Sequence, residues 1–265
     1  MNIEELRSKI DTQLLKLLKE RMGIVVDVGK IKNASKENVY RPEREKAIID
    51  RLLEEAKGKL DVTSIRAIFQ EIFAASRNLE LPEIISYLGP EGSFTHQAAE
   101  NNFGSTSNYL ALNSIKAVFN SIETKKAKYG IIPLENNQEG VVQETIDILG
   151  KSNLFVVAEL PLSISFSFAT RSKSAKNITK IYSKDIAFKQ CKDFIDEYFD
   201  DTIKCIPVNS TSAAVRYADK DRHSASICSR FAAVQRGVPI LFDNIEDLWP
   251  DYPTKEDFLF NEDEY

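Results

Sequence analysis

The chain of 265 residues carries 43% hydrophobic and 28% charged side chains, an ordinary make-up for a folded protein and enough length for two domains with their own cores. A formal net charge of -5 and an isoelectric point near 5.3 argue against a nucleic-acid binder, while local basic patches could still hold small anions. No apolar run reaches the roughly 20 residues of a membrane span, and the opening Met-Asn-Ile-Glu-Glu lacks the basic and apolar regions of a signal peptide, so a cytoplasmic protein is expected.

Residues 3 to about 32 repeat Ile3, Leu6, Ile10, Leu14, Leu17, Leu18, Val25 and Val28 at helical spacing, with no proline and only Gly23 and Gly29 inside. Residues 30–39 read as a polar turn. Pro42 opens a second helix with Glu43 and Glu45 in its first turn, where the helix dipole favours acids; it runs to about Ala56 and Gly58 stops it. Asp61 or Thr63 caps a third helix reaching about Leu79, before Leu81-Pro82 breaks it. One long and two shorter helices make a poor core alone, so two chains are expected to intertwine as a homodimer.

The pattern changes at Ile84. The run Ile-Ile-Ser-Tyr-Leu-Gly-Pro-Glu-Gly-Ser-Phe-Thr, 84–95, predicts a strand and a tight turn, with a helix over 96–103. Ser93 and Thr95 at that helix start suit a carboxylate or phosphate, or simply cap a turn. Helices are expected over 115–126, 141–149, 187–199, 213–219 and 229–236. Strands are expected over 129–134, 155–159, 163–169, 181–183, 204–208 and 224–228, with 240–245 extended. Strands alternating with helices predict a mainly parallel sheet whose polar strand ends form an anion cleft between two lobes. Cys191, Cys205 and Cys228 lie far apart without CxxC spacing, and only His96 and His223 accompany them. Free thiols and surface histidines are therefore expected rather than a zinc site.

Among the helical stripes stand Arg7, Arg21, Lys32, Arg44, Glu45, Ser76 and Glu80. Singly, each reads as surface charge or polarity. Together, Leu6-Arg7, Leu17-Leu18-x-x-Arg21, Val28-Gly29-x-x-Lys32, Tyr40-Arg41-Pro42-Glu43-Arg44-Glu45 and Phe69-Gln70-x-Ile72-x-x-x-Ser76 resemble the all-helical chorismate mutase domain. Chorismate is a dicarboxylate whose ether oxygen gains negative charge in a one-step rearrangement, so catalysis is positioning plus electrostatics. The resemblance implies that Arg7 of the partner subunit, Arg21 and Arg44 hold the carboxylates and that Lys32 donates to the ether oxygen. It further implies that Glu45 binds the ring hydroxyl and that Ser76 lines the pocket. Glu80 would donate a second hydrogen bond to the ether oxygen, which a carboxyl does only when protonated, so mutase activity is expected to fall as pH rises. Arg7 and Arg21 are about three residues closer together than in the family, which moves Arg7 roughly 4.5 Å along the helix and most of a turn around it.

The remainder resembles prephenate dehydratase. The motifs are Tyr87-Leu88-Gly89-Pro90-Glu91-Gly92-Ser93-Phe94-Thr95, Ile132-Pro133-Leu134-Glu135-Asn136, Gly140-Val141-Val142-x-x-Thr145, Leu162-Ser163-Ile164-Ser165, Asn209-Ser210-Thr211-Ser212-Ala213-Ala214 and Asp243-Asn244-Ile245-Glu246-Asp247. The resemblance implies a two-lobed α/β fold like that of type II periplasmic binding proteins. The expected organisation is a mutase domain at 1–81, a dehydratase domain at 84–260 and a tail at 261–265. Lobe 1 is expected at about 84–161 and 236–260, and lobe 2 at about 162–235. Substrate binding falls to Glu91, Gly92, Ser93, Thr95, Glu135, Asn136, Ser210 and Thr211, and Thr254 is nearest to the family's catalytic threonine. No metal or organic cofactor is implied; the substrates are chorismate and prephenate.

Several positions depart from the family: Asn137, Phe166, Lys184-Asp185-Ile186, and the stretch after Thr254, which lacks an arginine and carries Glu256-Asp257. The alternative is a mutase alone, its α/β half reduced to binding a small carboxylate or bracing the dimer. The chain ends at Tyr265 without the amino-acid-binding ACT domain of most relatives, so no inhibition by phenylalanine is expected.

Overall fold

The structure is a computed structural model that describes residues 2–35, 41–56, 60–136 and 140–247, without the side chains of 32–35 and 136. The chain divides into two compact units, residues 1–162 and 163–265.

The first unit opens with α1 (Ile3–Ser35), α2 (Pro42–Glu55) and α3 (Val62–Glu80). Of the turn expected over 30–39, the part up to Ser35 is instead the end of α1, because Lys-Ile-Lys after Gly29 are helix formers and no proline intervenes before Ser35; the rest lies outside the described residues. Pro42 starts α2, and the Asp61 carboxylate accepts the Ser64 N–H at 2.6 Å to cap α3. Ile49, Ile65, Phe73 and Ala74 are buried, whereas the long stripe of α1 buries Val25 and leaves Ile10, Leu14 and Leu17 more than half exposed.

The polypeptide then forms β1 (Ile84–Leu88), α4 (Phe94–Phe103), β2 (Asn108–Leu112), α5 (Ile115–Glu123) and β3 (Tyr129–Ile131). These strands make a parallel sheet in the order β2-β1-β3, with Ile85 opposite both Tyr109 and Tyr129. Ile85 and Phe103 form its small core with Tyr109, Tyr129 and Ile131. A short hairpin, β4 (Glu135–Asn136) and β5 (Gly140–Val141), leads into α6 (Gln143–Leu149).

The second unit holds β6 (Ser167–Ala169), a 3-10 turn Ala175–Asn177, β7 (Lys180–Ser183), α7 (Asp185–Gln190) and α8 (Lys192–Tyr198). It continues with β8 (Lys204–Pro207), α9 (Thr211–Ala218), β9 (Ser224–Cys228), α10 (Arg230–Gln235) and β10 (Ile240–Asp243). The sheet order is β10-β6-β9-β7-β8; β8, β7 and β9 run parallel, and β6 is antiparallel to both of its neighbours. Phe168 anchors the core against Phe194, Phe199 and Phe242.

Three expectations are corrected. Residues 155–159 and 163–166 lie in no ladder, and Phe155 is 88% exposed; an apolar run becomes a strand only where a neighbour takes its hydrogen bonds. The helix expected over 187–199 is two helices joined at Cys191, and the second starts where the Asp247 carboxylate accepts the N–H groups of Lys192 at 2.9 Å and Asp193 at 3.1 Å. Residues 236–247, expected to rejoin the first lobe, belong to the second unit, since β10 pairs with β6. Among the described residues no helix is long and apolar enough to cross a membrane.

Candidate active sites

The first cluster lies where α1, α2 and α3 meet. Ser76 and Glu80 stand four residues apart on one face of α3, and Arg21 of α1 hydrogen-bonds to Ser76 Oγ. Ser76 Oγ also donates to the Ile72 carbonyl at 2.6 Å, and the Arg21 guanidinium lies 5.9 Å from the Phe73 ring centroid. Burial pulls Arg21 below its ordinary value, opposed by the charges of Glu80 and Glu45 and assisted by Arg44. One chain therefore brings Arg21, Arg44, Glu45, Ser76 and Glu80 within mutual electrostatic reach. Two cations and two acids around a hydroxyl form a polar cluster whose chemistry suits a small anionic ligand with a hydroxyl group.

Gly29 explains why α1 and α3 approach so closely here. A Cβ at Gly29 would sit 3.0 Å from the Glu80 Cα, so glycine lets the two helices come this near without the backbone of α3 giving way. Lys32 follows one turn later, three helical turns beyond Arg21 and so on the same face of α1; its side chain lies outside the described residues. Arg7 is exposed and roughly 21 Å along the helix from Arg21, outside this cluster within one chain.

Arg77 escaped the reading of the sequence. It is buried, forms an ion pair with Glu45 and donates from Nη2 to the Phe103 carbonyl at 2.8 Å. Its signal was its position: four residues after Phe73 and three after Ala74, it places a charge on the buried stripe of α3. Burial pushes the Glu45 carboxyl above the ordinary carboxylate range, while Arg77 and Arg21 pull it back and Glu80 adds to the rise.

The second region is the turn between β1 and α4. Ser93 caps α4, accepting the His96 N–H at 3.3 Å. Ser93 Oγ donates to the Leu88 carbonyl at 3.0 Å, Thr95 Oγ1 donates to the same carbonyl, and the two hydroxyls lie 2.9 Å apart. Their protons are thus directed inward rather than toward a ligand. Glu91 is exposed, and Gly92, at φ 79, is buried with its N–H donated to His96 Nδ1 at 3.1 Å. His96, expected at the surface, is 4% exposed; it stacks on Tyr87 at 4.4 Å with Nε2 3.3 Å from Glu100. Burial holds this imidazole below its ordinary value, partly offset by Glu91.

Glu135 is exposed on β4, and the side chain of Asn136 lies outside the described residues. In the second unit Ser210 caps α9, accepting the Ala213 N–H at 3.0 Å, with Ser212 Oγ 3.2 Å away; Thr211 is buried. Thr254 and the stretch 248–265 lie outside the described residues, as does Asn137. Among the described residues no group of three His, Cys, Asp or Glu side chains is placed to hold a metal ion. Cys191 and Cys228 are buried and Cys205 exposed, all free; burial pushes the Cys228 thiol up to about 12.

The chorismate mutase type II family model matches residues 7–81, and the prephenate dehydratase family model matches residues 85–251. A bifunctional chorismate mutase/prephenate dehydratase of Aquifex aeolicus is 34% identical over 252 residues, covering 92% of this chain and 69% of that protein. The protein of the same description from Pseudomonas aeruginosa is 30% identical over 262 residues, covering 96% of this chain and 71% of its own length. A solved prephenate dehydratase from Arthrobacter aurescens, in complex with L-Phe, shares the fold at a TM-score of 0.56 and 24% identity, covering 62% of this chain and 56% of that one. With the helical half and the α/β half each matched, the two-activity reading is supported over a mutase joined to a degenerate module. This chain therefore belongs to the bifunctional chorismate mutase/prephenate dehydratase family, enzymes of aromatic amino acid biosynthesis that join an isomerase and a lyase on one polypeptide.

Proposed function

We propose that a homodimer of this chain, in the cytoplasm, converts chorismate to prephenate in the helical domain, 1–81, and prephenate to phenylpyruvate in the α/β domain, 84–260, without a metal or organic cofactor. The observation that carries the reading is the convergence of Arg21, Arg44, Glu45, Ser76 and Glu80 where three helices meet.

In the mutase step one C–O bond breaks and one C–C bond forms within a single molecule, so the protein needs no nucleophile. Arg21, Arg44 and Arg7 of the partner subunit hold the two carboxylates and so select the folded conformer of the substrate. Lys32 donates to the ether oxygen as it gains charge, with Glu80 beside it, and the Glu45 carboxylate accepts from the ring hydroxyl. In the dehydratase step the ring carboxylate leaves as carbon dioxide, its electron pair enters the ring and the ring hydroxyl leaves as water. Thr254 donates to that departing hydroxyl. Glu91, Gly92, Ser93, Thr95, Glu135, Asn136, Ser210 and Thr211 hold the substrate. Ser93 and Thr95 can donate to it only by turning their protons away from the Leu88 carbonyl, so binding is linked to a rearrangement of this turn.

The test follows chorismate loss and phenylpyruvate formation separately on the purified chain, beside Thr254→Ala. Expected are enzymatic formation of both products by the wild type and loss of phenylpyruvate alone in the variant. Accumulation of prephenate by the wild type would restrict the chain to the mutase reaction.

A further inference from the structure

Glu45 has one direct side-chain cation partner in the described contacts, Arg77, and that residue is fastened elsewhere. Its Nη1 pairs with Glu45 Oε1, its Nη2 donates to the Phe103 carbonyl at 2.8 Å, and its guanidinium lies 5.6 Å from the centroid of the Phe103 ring. Phe103 is the last residue of α4, the helix that begins at the Gly-Pro-Glu-Gly turn of the α/β half. The same face of α3 is held to this end of α4 by further contacts. Gln70 donates to the Asn102 carbonyl, Asn78 donates to the Thr106 carbonyl at 2.7 Å, and the Ser105 N–H donates to Glu71 at 2.9 Å. Gly104, at φ 81, lets the chain pass so close that a Cβ there would lie 2.5 Å from the Ala74 Cβ.

We propose that Arg77 is a positioning residue of the mutase reaction, holding Glu45 toward the substrate, and that α4 of the dehydratase domain supplies the support that keeps Arg77 in place. The inference rests on the function proposed above. A buried arginine with both nitrogens engaged loses little further freedom when it fixes a carboxylate, and the planar fork makes the geometry specific. The carboxylate has somewhere else to go. Glu45 also borders an open groove of about 760 Å³ whose charged lining is Lys46 and Arg66 with Glu43 and Glu159, and without Arg77 the two cations offer it other partners. The charged groups facing Glu45 are Arg77 and Glu80 from α3 and Arg21 from α1, with Arg44 beside it on α2. Removing Arg77 leaves a buried acid with one cation fewer, which favours its protonated form.

The experiment measures chorismate turnover against pH for wild type, Arg77→Gln, Arg77→Lys, Glu45→Gln and the Arg77→Gln/Glu45→Gln double variant. Expected for Arg77→Gln is a fall in mutase kcat of about tenfold or more, with the acid limb of the pH profile moved to higher pH. Arg77→Lys should recover part of the rate, since lysine keeps the charge but not the fork. The loss caused by Arg77→Gln should largely vanish when Glu45 is already glutamine. If Arg77→Gln does not fold, Arg77→Lys carries the same comparison: an acid limb and kcat within twofold of wild type overturn the proposal. An equal loss from Arg77→Gln in both Glu45 backgrounds overturns it too, because Arg77 would then act through the fold and not through Glu45. A wild type that leaves chorismate untouched removes the mutase reading and this inference with it, whereas an active wild type with an indifferent Arg77 removes only the inference.

Discussion

At the scale of single residues, His96 ties a fold requirement to a proton. Its Nδ1 accepts the Gly92 N–H at 3.1 Å, which only an unprotonated nitrogen can do, so the tautomer that fits carries its proton on Nε2, facing Glu100. Because burial lowers its proton affinity in the fold, the unfolded chain binds the proton more readily. Stability is therefore retained above the ordinary histidine value of about 6.5 and lost as pH falls below it. Leaving a buried Gly92 N–H without an acceptor costs about 1–3 kcal/mol. Asparagine can present an acceptor near the Nδ1 position without titrating. Melting temperatures across that range should drop less steeply with acid for His96→Asn than for wild type; parallel slopes would remove His96 from the acid response.

At the scale of elements, the pocket of the helical half depends on how closely α1 and α3 lie. The atoms that a Gly29→Ala methyl would meet are the Glu80 Cα and carbonyl oxygen, at 3.0 and 3.2 Å, so backbone and not a pliable side chain would have to move. The variant is expected to lose about 1–3 kcal/mol of stability and to displace Glu80 from the site. Mutase activity should then fall while dehydration of added prephenate persists, which two separate assays check. An unchanged mutase rate would mean that the helices can part here without disturbing the site. The joint between α7 and α8 teaches the same lesson about long-range contacts. Periodicity across 187–199 is continuous, yet Asp247, more than fifty residues onward, caps a new helix at Lys192.

For the whole molecule, the outstanding feature of the first unit is the exposed stripe of α1. Ile3 is 84% exposed, Leu17 63% and Ile24 66%. A row of this kind on a 33-residue helix is a candidate interface, and the function proposed above assigns Arg7 of a second copy to the site. The expected state is a homodimer whose melting temperature rises with protein concentration. Leu14→Lys together with Leu17→Lys should shift the mass measured by light scattering toward the monomer and abolish mutase turnover. A monomeric wild type with full mutase activity would remove the shared site.

Sequence alone determined that a helical half precedes an α/β half, because helical periodicity, capping residues and Gly-Pro turns are local signals. It also carried the family's motifs, hence the candidate residues on α1, α2 and α3. Which of these meet was decided by tertiary packing. Gly29 sets the distance to Glu80, and Arg77 binds Glu45 across 32 positions of chain. His96 is buried because Tyr87 and Gly92 surround it. The ladder between β10 and β6, the break at Cys191 and the inward-turned hydroxyls of Ser93 and Thr95 likewise depend on partners that no local pattern names. Their physical reason is the same: a hydrogen bond or close contact between distant positions leaves no period in the sequence, and only the folded chain brings its two halves together.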